Sequence, residues 1–329
     1  MEIKSRYTNW DFKTLWLVAL IVFSGVQALK RDADIYLLLQ LFIVVISIFF
    51  IDAIIEKSLY EEFKLLLKKY SFITLAVMFL IWLLWLIGIP GMDDAKTRNS
   101  LPFILFSAYL LLKQPNGRSW GVLIAFFVVT YICETRGAYV LFIAYVICKF
   151  ILDLTTSKIF RKVFYWSIIL FVTFIPIIVV FIVEFYLDVN IQDLRAFEEY
   201  RYYISGNIAS SVSRIYGVVW LLMVNSHEIF PFGTSLASSS EELLFWGYPV
   251  HNFYMVLLLK YGVFGLLGVI GLSYTIYKLM WRNFGLGLTL LFCMVNFNDF
   301  YPGFVLFLVP LLGSYTKYQL RQSSLAIIN

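Results

Sequence analysis

The chain has 329 residues, of which 61% are hydrophobic and 14% charged, with a net charge of +5. Its mean hydropathy is +0.83. Soluble domains carry about a quarter charged residues, so a soluble globular domain is excluded. A transmembrane β-barrel is excluded too, because runs such as Ile35–Phe50 do not alternate apolar and polar residues.

Taken in order, Met1–Lys13 is polar and basic, and no small-residue cleavage site follows the first apolar run. Apolar runs then occupy 14–29, 35–55, 70–89, 100–112, 119–133, 138–152, 163–187, 252–277, 284–297 and 302–316. Read as membrane spans, they predict an all-α, polytopic bundle of about ten helices, with 1–329 forming a single integral membrane domain. The runs 100–112 and 119–133 are short, so a re-entrant hairpin is the alternative there.

Basic residues mark alternate loops: Lys57, Lys64, Lys68 and Lys69, then Lys113 and Arg118, then Lys158, Arg161 and Lys162, then Lys278 and Arg282. Lys4, Arg6, Lys13, Lys317 and Arg321 add to the tails. Ten spans put all of these on one side, which the positive-inside rule makes the cytoplasm. The expectation is therefore a multi-pass protein with both termini cytoplasmic and the 188–250 loop on the outer side. Charge distributed in this way belongs to topology and lipid contact, and nucleic acid is not an expected partner.

The 188–250 loop carries Arg195, Arg201 and Arg214. Ser210, Ser211 and Ser213 offer capping oxygens, and Ile215, Val218, Val219, Leu222 and Met223 follow at helical spacing. An amphipathic helix is predicted there, closed by the turn Pro231-Phe232-Gly233. The run that follows opens on His251-Asn252 and carries Gly262, Gly265, Gly268 and Gly271, a smooth ridge against which a neighbouring helix can pack closely. Cys133, Cys148 and Cys293 form no CxxC and read as small hydrophobes without disulfide or metal roles.

Several residues carry candidate chemistry. Arg136, between two apolar runs, is either an interfacial side chain reaching for headgroups or a diphosphate ligand with a planar fork of donors. Arg214 falls in the first turn of the predicted loop helix, where free N–H groups also favour an anion; the plain alternative is a solvated loop arginine. Arg195 and Arg201 have the same two readings, and the spacing from Arg195 to Gly206 is similar to a pattern in some polymerases. His251 sits where a polar segment meets an apolar one, and a neutral imidazole there accepts a proton from an attacking hydroxyl. Asn252 orients it or binds a sugar. Lys260 either marks a polar cavity or snorkels. Asp93-Asp94 reads as a solvated turn before Lys96 and Arg98, with a divalent-metal pair as the alternative. No cofactor or metal site is expected.

Three segments together resemble the O-antigen ligase and polymerase family of bacterial membrane glycosyltransferases. They are Thr135-Arg136-Gly137-Ala138, Ser213-Arg214-Ile215-Tyr216 through Pro231-Phe232-Gly233, and His251-Asn252 through Gly265. The resemblance covers roughly residues 124–313. It implies a GT-C-like helical fold in the bacterial inner membrane, and an undecaprenyl-diphosphate-linked glycan as donor. Transfer would occur on the periplasmic face without nucleotide or metal. It implies that Arg136 and Arg214 hold the diphosphate and that His251 acts on the acceptor hydroxyl, with Asn252, Arg195 and Arg201 as further candidates for substrate contact. Two departures stand out. Lys260 replaces an acidic or polar residue of many relatives, and Arg214-Ile215-Tyr216-Gly217-Val218 ends in valine where the ligase pattern has leucine.

The first functional expectation is an O-antigen ligase, which moves the finished glycan to a hydroxyl of lipid A-core. The alternative is the polymerase, whose acceptor is a second lipid-linked glycan. The rival from another class is a flippase for lipid-linked oligosaccharides, which would line several spans with charge.

Overall fold

The computed structural model describes residues 57–92, 100–112, 119–187, 244–245, 248–249 and 252–296. Among the described residues the order is α1 (Lys57–Leu86), α2 (Ser100–Leu112), α3 (Trp120–Ile132), α4 (Arg136–Asp153) and α5 (Lys158–Leu187), then β1 (Leu244–Phe245) and β2 (Tyr248–Pro249), then α6 (Phe253–Arg282) and α7 (Phe284–Asn296). β1 and β2 pair antiparallel, with Leu244 opposite Pro249 and Phe245 opposite Tyr248.

Local chemistry sets the helix ends. α1 stops in a Schellman motif: the Gly88 N–H donates to the Trp85 carbonyl and the Ile89 N–H to the Leu84 carbonyl, with Gly88 at φ 82°. Pro102 lies in the first turn of α2, where a missing N–H breaks no intrahelical bond. Ser157 caps α5 by accepting from the Phe160 N–H, and Asn283 caps α7 by accepting from the Leu286 N–H. The Arg161 guanidinium reaches back from α5 to the carbonyls of Leu152 and Thr155, at 3.4 and 3.1 Å, and so closes the end of α4.

The chain forms two compact units. One contains, of the described residues, 57–165 and 276–293; α3 is its centre and packs on α1, α2 and α4. Its core is aromatic. Phe106 is fully buried and lies 5.2 Å from Phe126, 5.5 Å from Tyr145 and 6.0 Å from Phe142, ring centre to ring centre. Each such pair adds about 0.5–1.5 kcal/mol beyond the area it buries. Phe284 extends the stack to Tyr145 and Tyr165. α7 can seat this closely because Gly285 has no side chain. A Cβ there would meet Leu110 and Tyr145 at 2.8 Å.

The other unit contains, of the described residues, 166–187, 244–245, 248–249, 252–275 and 294–296. Its main feature is a break in α6. Gly262 has φ 56° and ψ −127°, a conformation that glycine alone adopts without strain. The side chains of Ser273 and Thr173 lie against the Tyr254 phenol. On an unbroken helix Tyr254 and Ser273 would be about 28 Å apart at 1.5 Å per residue. The chain therefore doubles back at Gly262, and α6 is a helical hairpin with one arm before that glycine and one after it. The glycine read as part of a smooth ridge is instead the pivot. A side chain at this φ and ψ costs about 1–3 kcal/mol. Gly262→Ala should lower the thermal unfolding temperature of the purified protein accordingly; an unchanged temperature would mean that α6 runs straight.

The architecture is helical, as composition implies, but the ten-span arrangement is corrected. Among the described residues one helix is long and apolar enough to cross a membrane, Leu67–Leu86 within α1. It is mostly exposed, unlike the core helix of a soluble protein. α2, α3 and α7 have 13 residues each, about 20 Å against about 30 Å of hydrocarbon. In α2 and α3 the apolar residues serve mainly as core: Phe103–Ala108 and Ala125–Phe126 are almost wholly buried. The 252–277 run, read as one span, is interrupted by the hairpin turn. The multi-pass location, with both termini cytoplasmic and the active site periplasmic, depended on counting these runs as crossings and is withdrawn with them. The runs 14–29, 35–55 and 302–316 and the amphipathic helix expected within 188–250 lie outside the described residues.

Candidate functional site

Arg136 is the first residue of α4. The corner before it is a second Schellman motif. The Glu134 N–H donates to the Tyr131 carbonyl at 3.1 Å, and the Thr135 N–H to the Thr130 carbonyl at 3.2 Å. At the end of α1 the equivalent left-handed position is held by Gly88; here it is held by Glu134, at φ 52°. A non-glycine residue pays about 1–2 kcal/mol for that conformation. The corner delivers the chain into α4 within two residues, with Arg136 exposed at the start of the helix.

Thr135 is the N-cap of α4 but makes no side-chain capping bond. Its hydroxyl turns back and donates to the Cys133 carbonyl at 3.4 Å. The Ala138 N–H donates to the Thr135 carbonyl at 3.1 Å, but the leading N–H groups of α4 receive no side-chain cap from Thr135, and Arg136 stands exposed at the same end. N–H groups, helix dipole and guanidinium together favour an anion with several oxygens. The first turn of α4 has no acidic residue, although Glu134 stands at the corner just before it.

Asn252 belongs to the other unit and is described there by itself. It immediately precedes α6 and is 1% exposed. Tyr254, two residues on, is fully buried. Asn252 is therefore held inside the fold, where a carboxamide serves orientation better than capture of a bulky glycan. His251, Arg195, Arg201 and Arg214 lie outside the described residues. Among the candidates, the structure thus describes Arg136 and Asn252.

Sequence reading passed over two features of these regions. Glu134 carries no signal of its left-handed conformation, since only the two hydrogen bonds around it reveal the motif. Thr173 and Ser273 are single hydroxyls in apolar runs, and their approach to Tyr254 is a long-range pairing that local pattern does not encode. Compared with known proteins, the chain matches no family model, no curated protein and no solved structure.

Proposed function

We propose that this chain is a glycosyltransferase that moves a glycan from an undecaprenyl-diphosphate carrier to a hydroxyl of lipid A-core, the O-antigen ligase reaction. The observation that carries the proposal is the setting of Arg136, exposed at a helix N-terminus whose N-cap side chain makes no capping bond, within the segment Thr135-Arg136-Gly137-Ala138. The order of that segment, the Ser213-Arg214 segment and His251-Asn252 along the chain supports the same reading.

In this reaction the acceptor oxygen attacks the anomeric carbon of the glycan. A new C–O bond forms, the bond to the carrier diphosphate breaks, and its electron pair leaves on the diphosphate oxygen. Arg136 and Arg214 bind the diphosphate and stabilise the charge that grows on it. His251 takes the proton from the acceptor hydroxyl. Arg195 and Arg201 are the further candidates for substrate contact, and the buried Asn252 serves orientation. The exposed apolar helix α1 suits an enzyme whose donor is a lipid.

The lipopolysaccharide gel pattern of a strain lacking this chain tests the proposal. Loss of all glycan from lipid A-core supports the ligase. Retention of a single repeat on the core identifies the polymerase, in which a second lipid-linked glycan is the acceptor. An unchanged ladder rules out both.

A further inference from the structure

Ring contacts show which helix ends lie together in the unit centred on α3. α3 and α4 run antiparallel: Phe142 of α4 lies 4.8 Å from Phe127 and 6.0 Å from Phe126 of α3, ring centre to ring centre. The start of α3 is therefore at the same end as the finish of α4 and the corner that leads into α5. α1 approaches α3 at that end, because a Cβ on Gly121 would stand 2.9 Å from the Phe72 ring. The finish of α6 arrives there too, with Trp281 5.4 Å from Tyr165 in the early turns of α5.

This end is both basic and apolar. Lys68, Lys69, Lys158 and Lys162 are exposed there. Within 65–72, 145–165 and 276–285 the sequence has one acid, Asp153, and it pairs with Lys149. Glu61 and Glu62 lie about two turns earlier on α1. Arg161 is committed to the carbonyls of Leu152 and Thr155 and braces the corner. The charge that α5 turns to solvent is thus that of Lys158 and Lys162. Ile159 is 78% exposed, more than any other large hydrophobic residue among the described residues, and Leu154 and Val163 are 72% and 59% exposed. On α5 the lysines stand four residues apart, and so do Ile159 and Val163. Each pair forms a row along the helix, and the two rows are neighbours.

We propose that this end of the unit docks on an anionic lipid surface. The lysines meet the headgroup phosphates, and Leu154, Ile159 and Val163 enter the acyl boundary. A soluble acidic partner answers the lysine row but leaves the apolar row in water. A purely apolar partner buries the lysines without a counter-charge. Anionic lipid satisfies both rows, since a lysine stem lies along hydrocarbon while its ammonium stays at the phosphates. Trp120, 68% exposed at the start of α3, suits the same boundary. Arg136 stands at the opposite end of α4, so the inference holds whatever reaction the chain performs.

Lipid selectivity tests it. The full chain, purified in nonionic detergent, is titrated with phosphatidylglycerol and, as control, phosphatidylcholine. Binding is read from the rise in unfolding temperature. Wild type should bind phosphatidylglycerol more tightly, and added salt should narrow the difference. Lys158→Gln combined with Lys162→Gln should weaken phosphatidylglycerol binding by about fivefold per lysine, about 25-fold together, and leave phosphatidylcholine binding unchanged. Lys158→Arg combined with Lys162→Arg should bind as wild type does. Ile159→Ser combined with Val163→Ser should weaken the binding of both lipids. A glutamine pair that binds phosphatidylglycerol as tightly as wild type overturns the proposal, and so does a wild type that does not distinguish the two lipids. Inorganic polyphosphate binding as tightly as phosphatidylglycerol would identify a general polyanion surface and overturn it as well. Should the glutamine pair not fold, Lys68→Gln combined with Lys69→Gln decides in the same assay: weaker phosphatidylglycerol binding supports the surface, and unchanged binding rejects it.

Discussion

His251→Gln is expected to lower glycan transfer by about 10²–10⁴-fold, the usual contribution of a positioned general base. A sugar hydroxyl is a weak nucleophile at neutral pH, and glutamine keeps a hydrogen bond while being unable to take the proton. The competing idea assigns nearly all of the catalysis to the arginines, with His251 only directing the acceptor. The two ideas diverge in pH dependence. A base works in its neutral form, so the wild-type rate should fall as pH drops below about 6.5, the ordinary histidine value, and the residual rate of His251→Gln should lack that inflection. The measurement is transfer by purified protein in lipid, with lipid-linked donor and acceptor, from pH 5 to 8. A glutamine variant that retains most of the wild-type rate removes the general-base role and leaves the donor site standing.

Arg136→Ala is expected to cost about 10²–10³ in rate, on the scale of about 2.7–4 kcal/mol for one preorganised donor to a developing negative charge. The leaving diphosphate gains charge as the glycosidic bond breaks, so the loss should fall on the rate at saturating donor more than on donor affinity. Arg136→Lys is a sharper probe. It keeps the charge at the start of α4 but loses the planar fork, and it too should be impaired. A purely structural role does not produce that pattern, since Arg136 is exposed and lysine is an equally good helix former. Wild-type rates in both variants at matched protein levels would remove Arg136 from the donor site.

The helices were legible because punctuation agreed with pattern. The run 100–112 became α2 at the same bounds, with Pro102 in its first turn. Asn283 separates two apolar runs and caps the second. What those helices pack against was not legible. Leu105, Phe106 and Ala108 are buried by other helices, whereas Ile73, Leu80 and Leu86 are exposed, yet both sets count alike in a hydropathy sum. The break in α6 was hidden for a related reason. A glycine that smooths a helix face and a glycine that reverses the chain are the same letter, and only the positive φ of Gly262 tells them apart. Of the candidate site, Arg136 was legible as a charge between apolar runs. The corner that presents it was not, because Glu134 occupies a position where sequence rules look for glycine.

The reversal at Gly262 also bears on how the chain acquires its structure. Two arms joined by a single pivot meet through contacts that are close in sequence, so the hairpin forms with little loop entropy to overcome. Thr173 belongs to α5, and the long segment between α5 and α6 must close before its hydroxyl meets Tyr254. Assembly is thus ordered: the hairpin zips first, and its docking on α5 follows as a slower step. Substitutions at Gly262 should slow the early event and those at Thr173 the late one, so refolding kinetics would separate two changes that look alike at equilibrium.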